Sequence, residues 1–493
     1  MATLKDPGLP RDGSTRPYWQ IPLHFLSNTA SATLPDRNDV VIIGSGMTGC
    51  SVAKSLLQHD SNMKVTVLEA RGLASGASSR NGGHIVSPSF ADFKYLVGAL
   101  GVEAARDVAE FTLRNIDKTF ELVDELGGDL AAYSKIRRTT KIIAYTDPEK
   151  FAEAQENLIL WNQHAPPHRR YLFNFIDSKE AARQFGLQNV AGAAVGPGAA
   201  VWPYRLWTGV WTSLQERFGD RLSIETFTPA TSILHDMIDG KDSYTITTPR
   251  GKITAPTVVH CTNGYTSHLL PSLRGRIFPL RGTMSAQDTG PSVANNGHDR
   301  SWSFVSTSAE DATTGVRSAS LYYLTQDPDS GLMLLGGEHD KPGVTLSADD
   351  TTTNPTSRAK ITDILPRYFV SCAPKPEVKS LWSGIMGFTR DALPLVGRIP
   401  RGISGRAGAG EWIAAGFNGY GTGYCLSCGQ AVAEMILGRD VNGWVPSALL
   451  LTQERFEGSL RSANAWEGLV GTAPPCDNPD TRDEEDLAAK LQR

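Results

Sequence analysis

The chain has 493 residues, 40% hydrophobic and 20% charged, the proportions of an ordinary globular protein but too long for one core, so two domains are expected. A formal net charge of −4 argues against a sequence-independent nucleic-acid binder. No run approaches the ~18 uninterrupted apolar residues of a membrane span, and the first residues lack an apolar signal core, so a cytoplasmic protein with no membrane partner is expected.

In chain order, residues 1–35 are proline-rich and polar and read as an arm, anchored by Trp19 and Phe25. Asp39 to Leu57 and Val65 to Gly72 then read as strand, turn, helix, strand. Gly44, Gly46 and Gly49 fit G-x-G-x-x-G: a tight turn, room for a pyrophosphate to approach backbone, and close helix-strand packing. Glu69 ends the second strand, 69 − 49 = 20 residues past the last glycine, the spacing of a carboxylate on a ribose 2′-OH. Like-charge repulsion disfavours a 2′-phosphate there, which leaves NAD and FAD open.

Arg71 to Pro88 is a long loop of small residues. Gly101 to Leu126 follows as an amphipathic helix with Leu113, Ile116, Phe120, Val123 and Leu126 on one face. Thr139 to Thr146 reads as a strand, Pro148 to Trp161 as a helix, and Pro203 opens another helix. Arg221 to Ala255 alternates like a small antiparallel sheet, and Pro256 to Pro271 returns to strand, polar turn (Asn263, Gly264) and helix start. Leu280 to Ser285, Tyr322 to Thr325 and Leu332 to Gly336 read as strands of a second sheet, and Glu411 to Gly438 as strand, glycine loop, helix. The tail after Pro474 is polar and loose. Cys50, Cys261, Cys372, Cys425, Cys428 and Cys476 do not make a disulfide scaffold. Cys425 and Cys428 form a lone C-x-x-C that reads as buried small residues, so no metal site is expected.

Four stretches in order, "IIGSGMTG" with Glu69, "SGASSRNGGHI", "WSGIMGFTRDALPLVG" and "AAGFNGYGTGY", resemble the D-amino-acid oxidase superfamily of FAD-dependent oxidoreductases. The branch is that of glycine oxidase, sarcosine oxidase and γ-glutamylputrescine oxidase, and the similarity spans about residues 36 to 450. The resemblance implies an α/β fold: a Rossmann-like, glutathione-reductase-type FAD-binding domain interleaved with an antiparallel-sheet α+β substrate domain. Segments 36–95, 196–275 and 381–450 would form the first, 96–195 and 276–380 the second, and 451–493 the tail.

It also implies site residues. Arg71 would stack by the adenine, Ser75, Arg80 and Asn81 would reach ribityl or phosphate oxygens, and Gly82 and Gly83 would let the loop cross the cofactor. Asn263, Gly384, Gly416, Asn418 and Gly419 line the flavin side, with Gly421, Thr422 and Gly423 starting a helix at its pyrimidine. His84 would face the reacting side and Arg281 would bind a substrate carboxylate, with Tyr322, Tyr323, Trp202 and Tyr420 as aromatic walls. Two departures stand out. Ser320 replaces the cysteine that tethers flavin in sarcosine oxidases, so FAD should be noncovalent; Gly423 replaces their lysine beside the flavin. The expected activity is oxidation of the C–N bond of a primary or secondary amine or amino acid by hydride transfer to flavin N5. A small-molecule amine is the partner and O2 the final acceptor. An NAD-dependent dehydrogenase and a noncatalytic flavin-binding protein are the other readings.

Overall fold

The computed structural model describes residues 6–462 except 317 and 373. Val40–Ile43 (β1) and Val65–Leu68 (β2) are aliphatic runs buried along their whole length, as a strand covered on both faces requires. The helix Met47–His59 (α1) joins them. Leu222–Glu225 (β3), Thr257–His260 (β4), Leu395–Arg398 (β5) and Glu411–Ala415 (β6) complete a six-stranded sheet in the order β5-β6-β4-β1-β2-β3. Every pairing in it is parallel except β5 with β6.

The turn after β1 depends on its glycines. Gly44 has φ +108°, and a Cβ there would lie 2.6 Å from the Cys261 carbonyl oxygen. A Cβ at Gly49 would lie 1.9 Å from the Gly44 carbonyl oxygen, so α1 can close on β1 only without a side chain. The helices Val102–Leu126 (α2), Pro203–Phe218 (α3) and Gly421–Ile436 (α4) pack around this unit. α4 lies against α1 through small residues: a Cβ at Gly429 would meet the Ser51 Cβ at 2.6 Å, and the Ser51 hydroxyl donates to the Leu426 carbonyl at 2.6 Å. Cys425 and Cys428 are buried free thiols in this seam.

A second, nine-stranded sheet faces the first. Its strands run in the order Glu377–Thr389, Ile277–Asp288, Met333–Gly336, Leu321–Gln326, Arg300–Val305, Arg137–Tyr145, Gly192–Ala200 and His84–Ile85. Asn174–Asp177 also pairs with Gly192–Ala200. All pairings are antiparallel except Arg300–Val305 beside Arg137–Tyr145. Ser232–Ile238, Lys241–Thr248 and Gly251–Ala255 form a separate antiparallel meander.

Several expectations differ in detail. Trp19 is buried, but Phe25 is 75% exposed and anchors nothing. The buried face of α2 carries Val108, Phe111, Asn115, Thr119 and Leu122, with Val123 the one fully buried member of the expected face; Leu113, Ile116, Phe120 and Leu126 pack at its margin. Two strands cross the expected segment limits, Gly192–Ala200 at residue 195 and Glu377–Thr389 at 380. Cys476 and the tail after Pro474 lie outside the described residues. Among the described residues no helix is long and apolar enough to cross a membrane, and no group of three or more His, Cys, Asp or Glu side chains is arranged to hold a metal.

Gly49→Ala should cost at least the about 1–3 kcal/mol typical of overpacking, because the Gly44 carbonyl cannot retreat without breaking the turn. The unfolding midpoint of the apoprotein, compared with wild type, measures it.

Candidate active site

One cavity of about 1070 Å³ runs from the carboxyl ends of the parallel sheet to the face of the second sheet. That is above the roughly 300–1,000 Å³ of a pocket for one drug-sized ligand. Gly44, Gly46 and Met47 line its first end with Glu69. α1 starts from Gly46 with no side-chain cap of its own; the Ser78 hydroxyl accepts from the Met47 N–H at 2.9 Å, and a Cβ on Gly46 would meet that oxygen at 2.7 Å. Ser78, absent from the sequence expectations, is therefore the hydroxyl of this loop at the helix terminus. The Glu69 carboxylate accepts from the Ser45 N–H at 3.0 Å, from the Ser45 hydroxyl at 2.7 Å and from the Arg71 N–H at 2.9 Å. A carboxylate offers about four lone-pair sites, so roughly one remains for a ligand in the cavity.

The loop after β2 places its residues unevenly. Arg71, Arg80, Asn81 and Gly82 line the cavity, whereas Ser75 and Gly83 do not. The Arg71 and Arg80 guanidinium groups turn to the wholly buried Asp350, at 2.9 and 3.7 Å. Arg80 also donates to the carbonyls of Ser75 and Ser383 and to the Ser14 hydroxyl. Burial lowers its pKa to about 10 against the pull of Asp350. Arg80 is thus held on several sides, whereas Arg71 lines the cavity with its buried Nε unpartnered. Asn81 closes its own turn, donating to the Ala77 and Ser78 carbonyls and accepting from the Gly83 N–H. Gly83 has φ +72° and packs under Trp19.

Asn263, Gly384, Asn418, Gly419, Gly421 and Thr422 line the cavity from the other side. The Asn263 side-chain oxygen accepts from the Gly416 N–H at 3.1 Å, and that of Asn418 from the Thr389 N–H at 2.8 Å, so these polar turns brace β6 against the long strand Glu377–Thr389. Gly416 (φ +77°) packs on Thr389 away from the cavity. α4 begins at Gly421 with no side-chain cap. Gly423 is buried, and a Cβ there would lie 2.8 Å from the Val86 carbonyl oxygen; it does not line the cavity, so a lysine at this position could not reach into it.

At the far end His84 and Lys141 share the wall. His84 Nε2 lies 2.8 Å from the Leu324 carbonyl, which can only accept, so Nε2 carries the proton. Its Nδ1 then accepts from Lys141 Nζ at 3.1 Å, and Nζ also bonds the Ser303 hydroxyl at 2.7 Å. Burial pushes both groups well below their usual ranges, with the neighbouring lysine adding to the shift of His84. Two N–H bonds committed in this way leave a neutral Lys141 amine one lone pair. Lys141 was missed although a signal exists: it shares one strand face with the apolar Ile143 and Tyr145, and all three line the cavity. The same alternation corrects Arg281. Leu280, Gly282 and Met284 face the cavity, so Arg281 points away, buried 3.7 Å from Glu338, and is not placed to hold a substrate carboxylate. Tyr323 and Tyr420 are cavity walls; Tyr322 packs beside His339 and Trp202 beside Trp19, both in the core. Ser320 lines the cavity, as do Gly8, Leu9 and Pro10 of the arm, which therefore does more than cover the surface.

A glycine turn that a Cβ would block, a strand-end acid and two helix starts open on one large cavity, which defines a dinucleotide-dependent oxidoreductase. The chain belongs to the DAO family of FAD-dependent oxidoreductases, whose model matches residues 39–435. This sets aside the NAD-dependent dehydrogenase. The chain is 22% identical over 409 residues to gamma-glutamylputrescine oxidoreductase of Escherichia coli (strain K12), covering 81% of this chain and 84% of that one. Its fold is similar to glycine oxidase from Geobacillus kaustophilus, with TM-score 0.62 and 17% identity over 85% of this chain and 99% of that one. It is likewise similar to L-proline dehydrogenase from P. horikoshii, with TM-score 0.60 and 20% identity over 86% of this chain and 99% of that one.

A lysine whose pKa is lowered by burial ties stability to pH with a definite sign. Unfolded, Lys141 takes up a proton below about 10.4, whereas folded it stays neutral down to its depressed value. The unfolded state binds more protons across that window, so stability rises as pH rises through it. Subtracting the stability–pH curve of Lys141→Met from that of the wild-type apoprotein should isolate this slope; equal slopes would mean that the lysine is charged when folded.

Proposed function

We propose that this protein oxidises the C–N bond of a primary or secondary amine or an amino acid, with O2 as final acceptor. The observation that carries the reading is the hydrogen-bonded Lys141–His84 pair, both pushed below their usual ranges by burial, on the wall of the cavity that opens on the dinucleotide turn. Bound FAD supplies a two-electron acceptor, at N5, for the hydride from the α-carbon. An amine reaches the site mostly as ammonium, and the Lys141 lone pair takes its proton so that the nitrogen electrons can drive hydride departure. His84, held by the Leu324 carbonyl, fixes the lysine in place. Tyr323 and Tyr420 exclude water from the iminium product until release.

Gly44, Gly46, Glu69, Asn263, Asn418 and Thr422 are the residues we assign to FAD, in a flavin domain built from the segments near 36–95, 196–275 and 381–450. Attachment is noncovalent in this reading. Cys261 and Cys425 do line the cavity, but burial pushes both thiols up, Cys425 to about 12, and neither is a ready nucleophile. Among the described residues every cysteine is free, which supports a reducing, cytoplasmic setting.

Glu69→Gln should weaken FAD binding to the apoprotein about 10- to 100-fold, since charge-assisted hydrogen bonds contribute roughly 1.5–3 kcal/mol each. Flavin fluorescence titration reads this, and the rate at saturating FAD should hardly change. Anaerobic mixing of the holoenzyme with primary, secondary and α-amino acid amines should bleach the oxidised flavin band with at least one class. Lys141→Met should bleach at least about tenfold more slowly at equal flavin content and lose the acid limb of the wild-type pH profile. A holoenzyme that no amine bleaches would instead be a flavin-binding protein without this activity.

A further inference from the structure

Asp92 stands just before the helix Phe93–Leu100, where an aspartate ordinarily caps the first turn. Its side chain makes no such bond, and among the described residues no hydrogen bond or ion pair holds its carboxylate. It is half-buried and lines the cavity together with Tyr145, Tyr420, Phe90 and Trp161. Its charge is the largest influence on the Tyr420 hydroxyl and also acts on those of Tyr145 and Tyr424. Enclosure raises the carboxyl to about 6, still leaving it mostly ionised at neutral pH.

Among the described residues no cation pairs with it, and Arg138, also at the cavity wall, lies over the Phe120 ring. Lys141 is committed to His84 and Ser303. At the rim Lys150 pairs with Glu153, and Arg169 with Glu110 and Asp117. An ionised carboxylate drawn from water into a cavity it shares with aromatic side chains, and given no counter-charge, is costly, whereas the same surroundings favour an ammonium, which finds charge and aromatic rings in one cavity. The lone pair that would take the reacting ammonium proton belongs to a different residue, Lys141, with which no acid pairs among the described residues.

We propose that the substrate carries a second cationic nitrogen, remote from the carbon oxidised, and that Asp92 with the rings of Tyr145 and Tyr420 receives it. The substrate class is then a diamine, polyamine or other amine with a distal ammonium. This rests on the amine-oxidising reading above and narrows it.

The test is anaerobic stopped-flow reduction of the holoenzyme with a series of α,ω-diamines of increasing length and the matched monoamines, each over a range of concentration. At the best length the half-saturating concentration should be at least about tenfold lower for the diamine, a difference of 1.4 kcal/mol. Asp92→Asn should erase that preference by raising the diamine value alone, Asp92→Glu should keep part of it, and both should retain full FAD. Equal half-saturation of diamine and monoamine in wild type, or an unchanged ratio in Asp92→Asn, overturns the inference and leaves the amine-oxidising reading standing. If no amine of any kind reduces the flavin, that reading fails and this one with it.

Discussion

Two arginines from one loop meet a single wholly buried carboxylate, Asp350, and the two halves of the molecule are joined through that meeting. Arg80 continues to the Ser383 carbonyl on the second sheet and to Ser14 on the arm; the Thr15 N–H donates to the Asp350 carbonyl at 2.8 Å and the Trp382 ring to that of Arg80 at 3.0 Å. Removing one partner from a buried pair of this kind costs about 3–5 kcal/mol, because the other charge is stranded away from water. The loop that carries Ser78, Gly82 and His84 into the cavity is held by this knot. Both of its arginines pair with Asp350, and at the start of α1 the Ser78 hydroxyl of the same loop accepts from the Met47 N–H.

The far end of the cavity is polar in two separate places that do not neutralise each other. Lys141 and His84 share hydrogen bonds but no acid, and Asp92 faces the cavity without a base. Each group is displaced from its ordinary titration by the same cause, loss of water, and in opposite directions: the cations become neutral more readily and the acid takes up a proton more readily. A site prepared in this way holds its hydrogen-bond geometry before a ligand arrives, which is where enzymes that move hydride gain most of their rate.

One of the two departures from the resemblance, Gly423, is also explained by packing. Where sarcosine oxidases carry a lysine after the last glycine pair, Gly423 is pressed against the Val86 carbonyl; Lys141 on the strand Arg137–Tyr145 and Lys150 are the lysines that line the cavity among the described residues. The C-x-x-C pair fills the contact between α1 and α4, where Gly429 meets Ser51 and larger residues would separate the helices.

How much of this was legible in the sequence follows from the range over which each feature is encoded. The strand, turn, helix and strand around Gly44, Gly46, Gly49 and Glu69 could be read directly, because Gly49 is demanded by the turn itself and Gly44 by the end of the adjoining strand; Ser78, which crowds Gly46 from a later loop, could not. In the second sheet Gly192–Ala200, Arg300–Val305 and Glu377–Thr389 were not read as strands, whereas the strands near Thr139, Leu280, Tyr322 and Leu332 were readable, since period and turn residues are local signals. What those strands face was not. Arg281 and Lys141 sit in equally apolar runs, and only the pairing of nine strands decides that Leu280 and Gly282 look into the cavity while Arg281 looks away. Within the glycine loops the same limit separates Gly82 and Gly421, which line the cavity, from Gly83 and Gly423, which pack against backbone. Asp92 looks in sequence like an ordinary helix cap, and only the fold shows that it makes no cap bond and shares the cavity wall with Tyr420 and Tyr145. Sequence by itself determined the dinucleotide turn and the order of elements, through short-range sterics and hydrophobic period. Tertiary structure alone decided which side chains share the cavity, because a side chain's face is set by the register of strands that lie far apart in the chain.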